Sequence, residues 1–135
     1  MPDRLTPQAR SAHMRLIRKR DTTPERLVRS IVHRLGFRFR LYRRDLPGTP
    51  DIVLPRSRKV IFVHGCFWHQ HAACRLARLP KSRPDYWLPK LRRNQERDAA
   101  ARAALETLGW SVLEVWECET AHVAILEKRL AAFLR

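Results

Sequence analysis

A chain of 135 residues is the size of one domain, and with 44% apolar residues it can build a packed core. No apolar run reaches membrane-spanning length, and Met1 to Arg20 lacks the apolar stretch of a secretory signal, so a cytoplasmic location is the default expectation. The net charge of +15 is unevenly spread: residues 1–97 carry 24 Lys/Arg against 7 Asp/Glu, and residues 98–135 carry 4 against 6. An Arg-rich excess on one part of the chain fits a phosphate-facing surface, the alternatives being a solvated basic face or an anionic membrane surface.

Residues 1–20 are polar and basic, and read as a short helix or as an arm that orders on DNA. The remainder, 21–135, reads as a single domain. Thr22-Thr23-Pro24-Glu25 is a helix start: Thr23 can cap, Pro24 fits the first turn, and Thr22 to Glu25 has capping-box spacing. Leu27, Val28, Ile31, Val32 and Leu35 then recur with helical period up to Gly36. Phe37, Phe39 and Leu41 alternate with arginines and predict a half-buried strand. Asp51 to Val63, turning at Pro55 to Lys59, predicts a hairpin with Asp51 at a sheet edge. A helix follows from about Asp85 to Leu108, kinked or restarted at Pro89; then come a strand at Trp110 to Trp116 and a helix from Thr120 to Leu134. The order α-β-β-β-α-β-α predicts an α/β domain, a mixed sheet flanked by helices.

The chemistry gathers in residues 60–74, where a buried apolar run ends in three histidines, two cysteines and an adjacent Phe67-Trp68 pair. Cys66, His71 and Cys74, with the distant Cys118, make a Cys3His set suited to tetrahedral structural zinc; free thiols and a surface histidine are the alternative. The hairpin can bring Asp51 and His64 to one end of the sheet, with His69 spare once His71 is a ligand. Asp51 with Mg2+, His69 as base and His64 as electrostatic or acid support would meet the needs of a phosphodiesterase. Spacing alone weighs equally a turn aspartate and polar surface histidines. In an extended chain Phe67 and Trp68 cannot both face the core, so one can be a wedge that unstacks a base step, or Trp68 is core and Phe67 partly exposed.

Phe62-Val63-His64-Gly65-Cys66-Phe67-Trp68-His69 resembles the central signature of the very-short-patch repair DNA mismatch endonucleases. Arg20-Asp21-Thr22, Leu46-Pro47-Gly48-Thr49-Pro50-Asp51, Asn94-Gln95-Glu96-Arg97-Asp98, Leu108-Gly109-Trp110 and Val115-Trp116-Glu117-Cys118 also match in order. The resemblance implies a restriction-endonuclease-like fold with a structural zinc on Cys66, His71, Cys74 and Cys118. It also implies Mg2+-dependent nicking 5′ of the mispaired T in a T·G mismatch left by 5-methylcytosine deamination. By motif position Asp51 would be the magnesium ligand, with Val63 joining through its main-chain carbonyl, His69 the general base and His64 a phosphate-side partner. Glu25 would be a further active-site carboxylate, and Asp98 the acid that orients a catalytic histidine. Phe67 and Trp68, with Met14 from the arm, would form the wedge, and Lys90 and Asn94 match mismatch-contacting positions. The implied setting is the bacterial nucleoid, and the implied partners are double-stranded DNA with a T·G mismatch, the mismatch-repair protein MutL and a repair polymerase, with no membrane.

Three departures stand out. Val63 occupies a place where family members can have Thr, the knuckle has one more residue before Cys74 than the family pattern, and Phe62 and His64 replace the acid and lysine usual on the second strand of such folds. The competing readings are a non-catalytic zinc-containing protein that binds distorted DNA, and a related nuclease with another lesion or sequence preference.

Overall fold

The computed structural model describes residues 21–135, so the basic arm and Met14 lie outside the described residues. In chain order the elements are α1 (Thr23–Arg34), β1 (Arg40–Leu41), β2 (Ile52–Leu54), β3 (Lys59–His64), a 3-10 turn at Arg75–Ala77, α2 (Pro84–Thr107), β4 (Ser111–Trp116), a 3-10 turn at Glu117–Ala121, and α3 (Val123–Leu134). The strands form one open sheet in the order β1-β2-β3-β4. The first three are antiparallel neighbours and β3 runs parallel to β4, so the sheet is mixed as the element order predicts. A parallel pair needs a long crossover, and the knuckle with α2 supplies it.

Alternation along the strands decides which face each helix covers. Ile52, Leu54, Ile61, Val63 and Val115 point to one face and meet Val28, Ile31 and Val32 of α1 with Leu126, Leu130 and Leu134 of α3. Val53, Val60, Phe62 and Val112 point to the other and meet Leu105 of α2 and Leu46. Each fully buried aliphatic side chain contributes roughly 1.5–3 kcal/mol. Apart from Leu91 and Leu105, α2 buries none of its residues, so most of this helix faces outward.

Several local expectations shift. Thr22, not Thr23, caps α1, its Oγ1 accepting the Glu25 N–H at 3.3 Å. The strand expected from Phe37 shrinks to Arg40–Leu41. Its first residue is taken by the end of α1: the Phe37 N–H donates to Val32 O at 3.3 Å and the Gly36 N–H to His33 O at 2.9 Å, a Schellman closure with Gly36 at φ +94°. Phe37 and Phe39 pack on the α1–α3 core instead. Pro89 does not restart the chain as a second helix, since α2 continues through it. Thr120 belongs to the 3-10 turn, and α3 begins at Val123. Asp51 precedes β2, an inner strand, and so stands at the sheet's end rather than at its edge.

The loop into Asp51 crosses close above α2. Gly48 has φ +75°, and a Cβ there would lie 2.7 Å from Ala101 Cβ and 3.2 Å from Phe62 Cζ. Gly48→Ala therefore combines backbone strain with a clash against packed groups and should lower stability by about 2 kcal/mol, read from the urea midpoint.

Candidate active site and metal centre

The β2–β3 register pairs Ile52 with Ile61, so the ladder runs out at Asp51 while β3 continues to His64. Asp51 uses the freed position: its Oδ2 accepts the Val63 N–H at 2.7 Å. In an extended strand the C=O of a residue leaves on the same side as its N–H, so the Val63 carbonyl also faces the Asp51 side. The Val63 side chain points the other way, into the α1–α3 core. Burial, reinforced by the negative charge of Glu25 and opposed by the Val63 N–H, His69 and Arg29, raises the Asp51 pKa to about 7. A carboxylate desolvated beside a second acid is one that a divalent cation can stabilise, and the residues present fit such an ion.

His64, one residue beyond Val63, is 5% exposed and stacks on the His69 ring at 4.1 Å between centroids. Burial first, and the neighbouring His69 second, lower its pKa to about 4, so in the free protein it is neutral at pH 7. His69 Nδ1 lies 2.5 Å from Asp98 Oδ2 on α2. When Nδ1 carries the proton shared with Asp98, Nε2 is left as an acceptor. Asp51, His64, His69 and Asp98 are thus drawn from two strands' ends, one loop and one helix to a single end of the sheet.

The loop between His64 and α2 is a cluster of donors. The ligand atoms of Cys66, His71, Cys74 and Cys118 all lie within 4.8 Å of one another. His71 Nδ1 is 3.7 Å from Cys66 Sγ and 3.4 Å from Cys118 Sγ, and the His71 ring lies flat on Trp116 at 4.2 Å. Burial pushes the Cys66 thiol up to about 12 and raises Cys118 as well. At Cys74 desolvation also raises the pKa, yet the Leu76 and Ala77 N–H groups and the other sulfurs outweigh it and the net shift is downward. Three sulfurs this close cannot all ionise unaided, and a four-coordinate thiophilic cation is the charge that fits among them. The Cys118 N–H already points at Cys66 Sγ, at 3.4 Å. Within the knuckle Gln70 and Ala73 both adopt left-handed backbone, at φ +49° and +55°.

Phe67 and Trp68 lie in a turn rather than in extended chain, so the alternation assumed for them does not apply, and both are half-buried. They pack on Trp87 of α2, Phe67 at 5.4 Å and Trp68 at 6.0 Å, with Tyr86 edge-on to Trp87 at 5.0 Å. Lys90 Nζ stands 5.5 Å from the Trp68 ring centre, and Asn94 Nδ2 donates to Trp68 O at 3.0 Å. Trp87 was not singled out from the sequence. Its signal is faint there: it stands with Tyr86 at the start of the helix expected from Asp85, 19 positions after Trp68, and meets the wedge pair only in the fold.

Glu25 at the start of α1 is 2% exposed. Its Oε2 accepts from the Tyr42 hydroxyl at 2.5 Å, the Asp21 N–H at 2.7 Å and Arg29 Nη2 at 3.0 Å. Burial and the bond to Glu25 raise the Tyr42 pKa, so its hydroxyl stays a donor.

With this geometry in hand, comparison with known proteins is direct. The family model described as DNA mismatch endonuclease Vsr matches residues 2–75. The type II nicking enzyme V.XorIIP of Xanthomonas oryzae pv. oryzae is 54% identical over 134 residues, covering 99% of this chain and 98% of that protein. The DNA mismatch endonuclease Vsr of Escherichia coli is 47% identical over 109 residues, 81% of this chain and 69% of that protein. The type II nicking enzyme V.NmeAIP of Neisseria meningitidis is 42% identical over 135 residues, 100% of this chain and 96% of that protein. The chain belongs to the Vsr family of DNA mismatch endonucleases.

If the Cys–His cluster ties the knuckle to β4 through a bound cation, Cys118→Ser should lower both metal content and melting temperature, by several degrees or more. Elemental analysis paired with thermal melting measures it; full metal content at an unchanged melting temperature would rule the tie out.

Proposed function

We propose that this protein is a Mg2+-dependent, strand-specific endonuclease that nicks 5′ of the mispaired T in T·G mismatches arising from 5-methylcytosine deamination. The observation that carries the reading is the meeting of Asp51, His64 and the His69–Asp98 pair at one end of the sheet, beside the Cys–His cluster and the aromatic group. The fold is read as restriction-endonuclease-like, with residues 21–135 as the nuclease domain and residues 1–20 as an arm that brings Met14 to DNA.

Asp51 and the Val63 carbonyl would hold Mg2+, which when bound supplies positive charge to the phosphodiester undergoing attack. Since Val63 serves through its main chain and its side chain is in the core, a valine there costs the site nothing. Asp98 holds the His69 ring by Nδ1, so that Nε2 can take a proton from the attacking water. His64, neutral in the free protein, serves a phosphate oxygen as a hydrogen-bond donor rather than as a standing positive charge. Zn2+ on Cys66, His71, Cys74 and Cys118 would stiffen the loop that carries His69, Phe67 and Trp68.

Phe67 and Trp68, backed by Trp87, act as a wedge entering the stack at the mismatch, with Lys90 and Asn94 holding Trp68 from α2. A wobble pair stacks poorly and shifts its base edges, which lowers the cost of unstacking there relative to a paired step.

The deciding experiment incubates the protein with Mg2+ and a labelled duplex containing one T·G pair, and maps any cut to the nucleotide. A single cut 5′ of the T is expected; equal cutting of paired DNA, or none, would defeat the reading. Asp51→Ala should slow nicking by roughly three orders of magnitude while changing duplex affinity by no more than about threefold. Replacing Phe67 and Trp68 together by Ala should reduce the preference for T·G over T·A duplex by about tenfold or more in competition binding, since each stacking contact is worth about 1–3 kcal/mol.

A further inference from the structure

The network around Glu25 breaks two rules of stable packing. Tyr42 sits in the left-handed region at φ +52°, a conformation that bulky residues rarely adopt without a compensating role, and Asp21, a residue type that tolerates it, shares it at +55°. Arg29 Nε is buried with no hydrogen-bond partner among the described residues. Both residues donate to the same atom, Glu25 Oε2: Tyr42 through its hydroxyl and Asp21 through its N–H. Arg29 completes the set, its Nη2 reaching Glu25 Oε2 and the Tyr42 hydroxyl at 2.6 Å, and its Nη1 reaching Asp21 Oδ1 at 2.9 Å. Among the described residues, every hydrogen bond to the Glu25 carboxylate falls on Oε2.

A helix cap does not require this. Thr22 already caps α1, and a salt bridge to Arg29 alone would satisfy a buried glutamate. What three donors on one oxygen achieve is a fixed orientation of the carboxylate, with Oε1 left over. Glu25 lies one helical turn before Val28, which shares a buried cluster with Ile52, the residue after Asp51, and with Val63, whose N–H donates to Asp51, so this orientation is set beside the reacting centre.

We propose that Tyr42 and Arg29 are positioning residues for the nicking reaction, clamping Glu25 by Oε2 so that Oε1 is presented to the Asp51 end of the site. This rests on the endonuclease reading above. Backbone strain at Tyr42 and, among the described residues, an Arg29 nitrogen without a partner accompany the holding of a single carboxylate.

The test is a double-mutant cycle between Tyr42→Phe, which keeps the ring and removes the donor, and Glu25→Gln. Single-turnover nicking of the T·G duplex is measured with Mg2+, duplex affinity without it, and melting temperature for each protein. Tyr42→Phe should nick about tenfold more slowly at unchanged duplex affinity, and should cause no further loss in the Glu25→Gln background. Arg29→Lys, which keeps the charge but loses the fork, should show the same dependence on Glu25. Wild-type rates in Tyr42→Phe, or a loss of equal size with and without Glu25, would overturn the clamp; the second result would mean that Tyr42 acts only on the fold. If the wild-type protein leaves T·G duplex intact, the functional reading falls and the clamp with it.

Discussion

The loop from Gly65 to Cys74 is held at both ends and by both faces, and the geometry of the site follows from that. It leaves β3 directly after His64, and its donors meet Cys118 just beyond β4, the strand that pairs with β3 in parallel. Glu117, the residue before Cys118, accepts the Cys66 N–H at 3.2 Å, and Trp116 lies flat under His71. Gln70 turns inward and donates to Phe67 O at 2.7 Å and Ala77 O at 3.2 Å. A loop of this length without such ties would sample many conformations, and the His69 ring would not stay within reach of Asp98.

Two kinds of charge management coexist at the site. Asp51 is a buried acid whose charge is further disfavoured by the nearby Glu25, a configuration that costs stability in the resting protein and fits the later arrival of a cation. His64 stacks on His69, and there the same logic runs in reverse, since burial and the neighbouring ring keep His64 uncharged. Separating acids from bases in this way lets neighbouring groups hold different protonation states at one pH, as proton transfer in catalysis requires.

Much of this was legible in the sequence because it depends on local spacing. The turn at Pro55 to Lys59 forces Asp51 and His64 to one end of a hairpin, and the unusual residues of 64–74 select a metal-type cluster over ordinary core. What could not be read depends on where separate elements meet. Trp87 joins Phe67 and Trp68 only because α2 crosses the knuckle, and Tyr42 reaches Glu25 only through a left-handed turn after a two-residue strand. Phe37 misled for the same reason: its alternation with arginine is real, but closing α1 claimed its N–H. The assumption about Phe67 and Trp68 failed because it presumed extended backbone where the chain turns, the His69 N–H donating to Gly65 O and the His71 N–H to Cys66 O.

The continuity of α2 through Pro89 has a mechanical side. Trp87, Lys90, Asn94 and Asp98 all project from this one uninterrupted rod, over a span of about 16 Å at 1.5 Å per residue. Its N-terminal half is anchored in the core by little more than Leu91, while Leu105 fixes the far end. The indole that packs on the wedge pair and the carboxylate that braces the His69 imidazole are thus carried by the same helix.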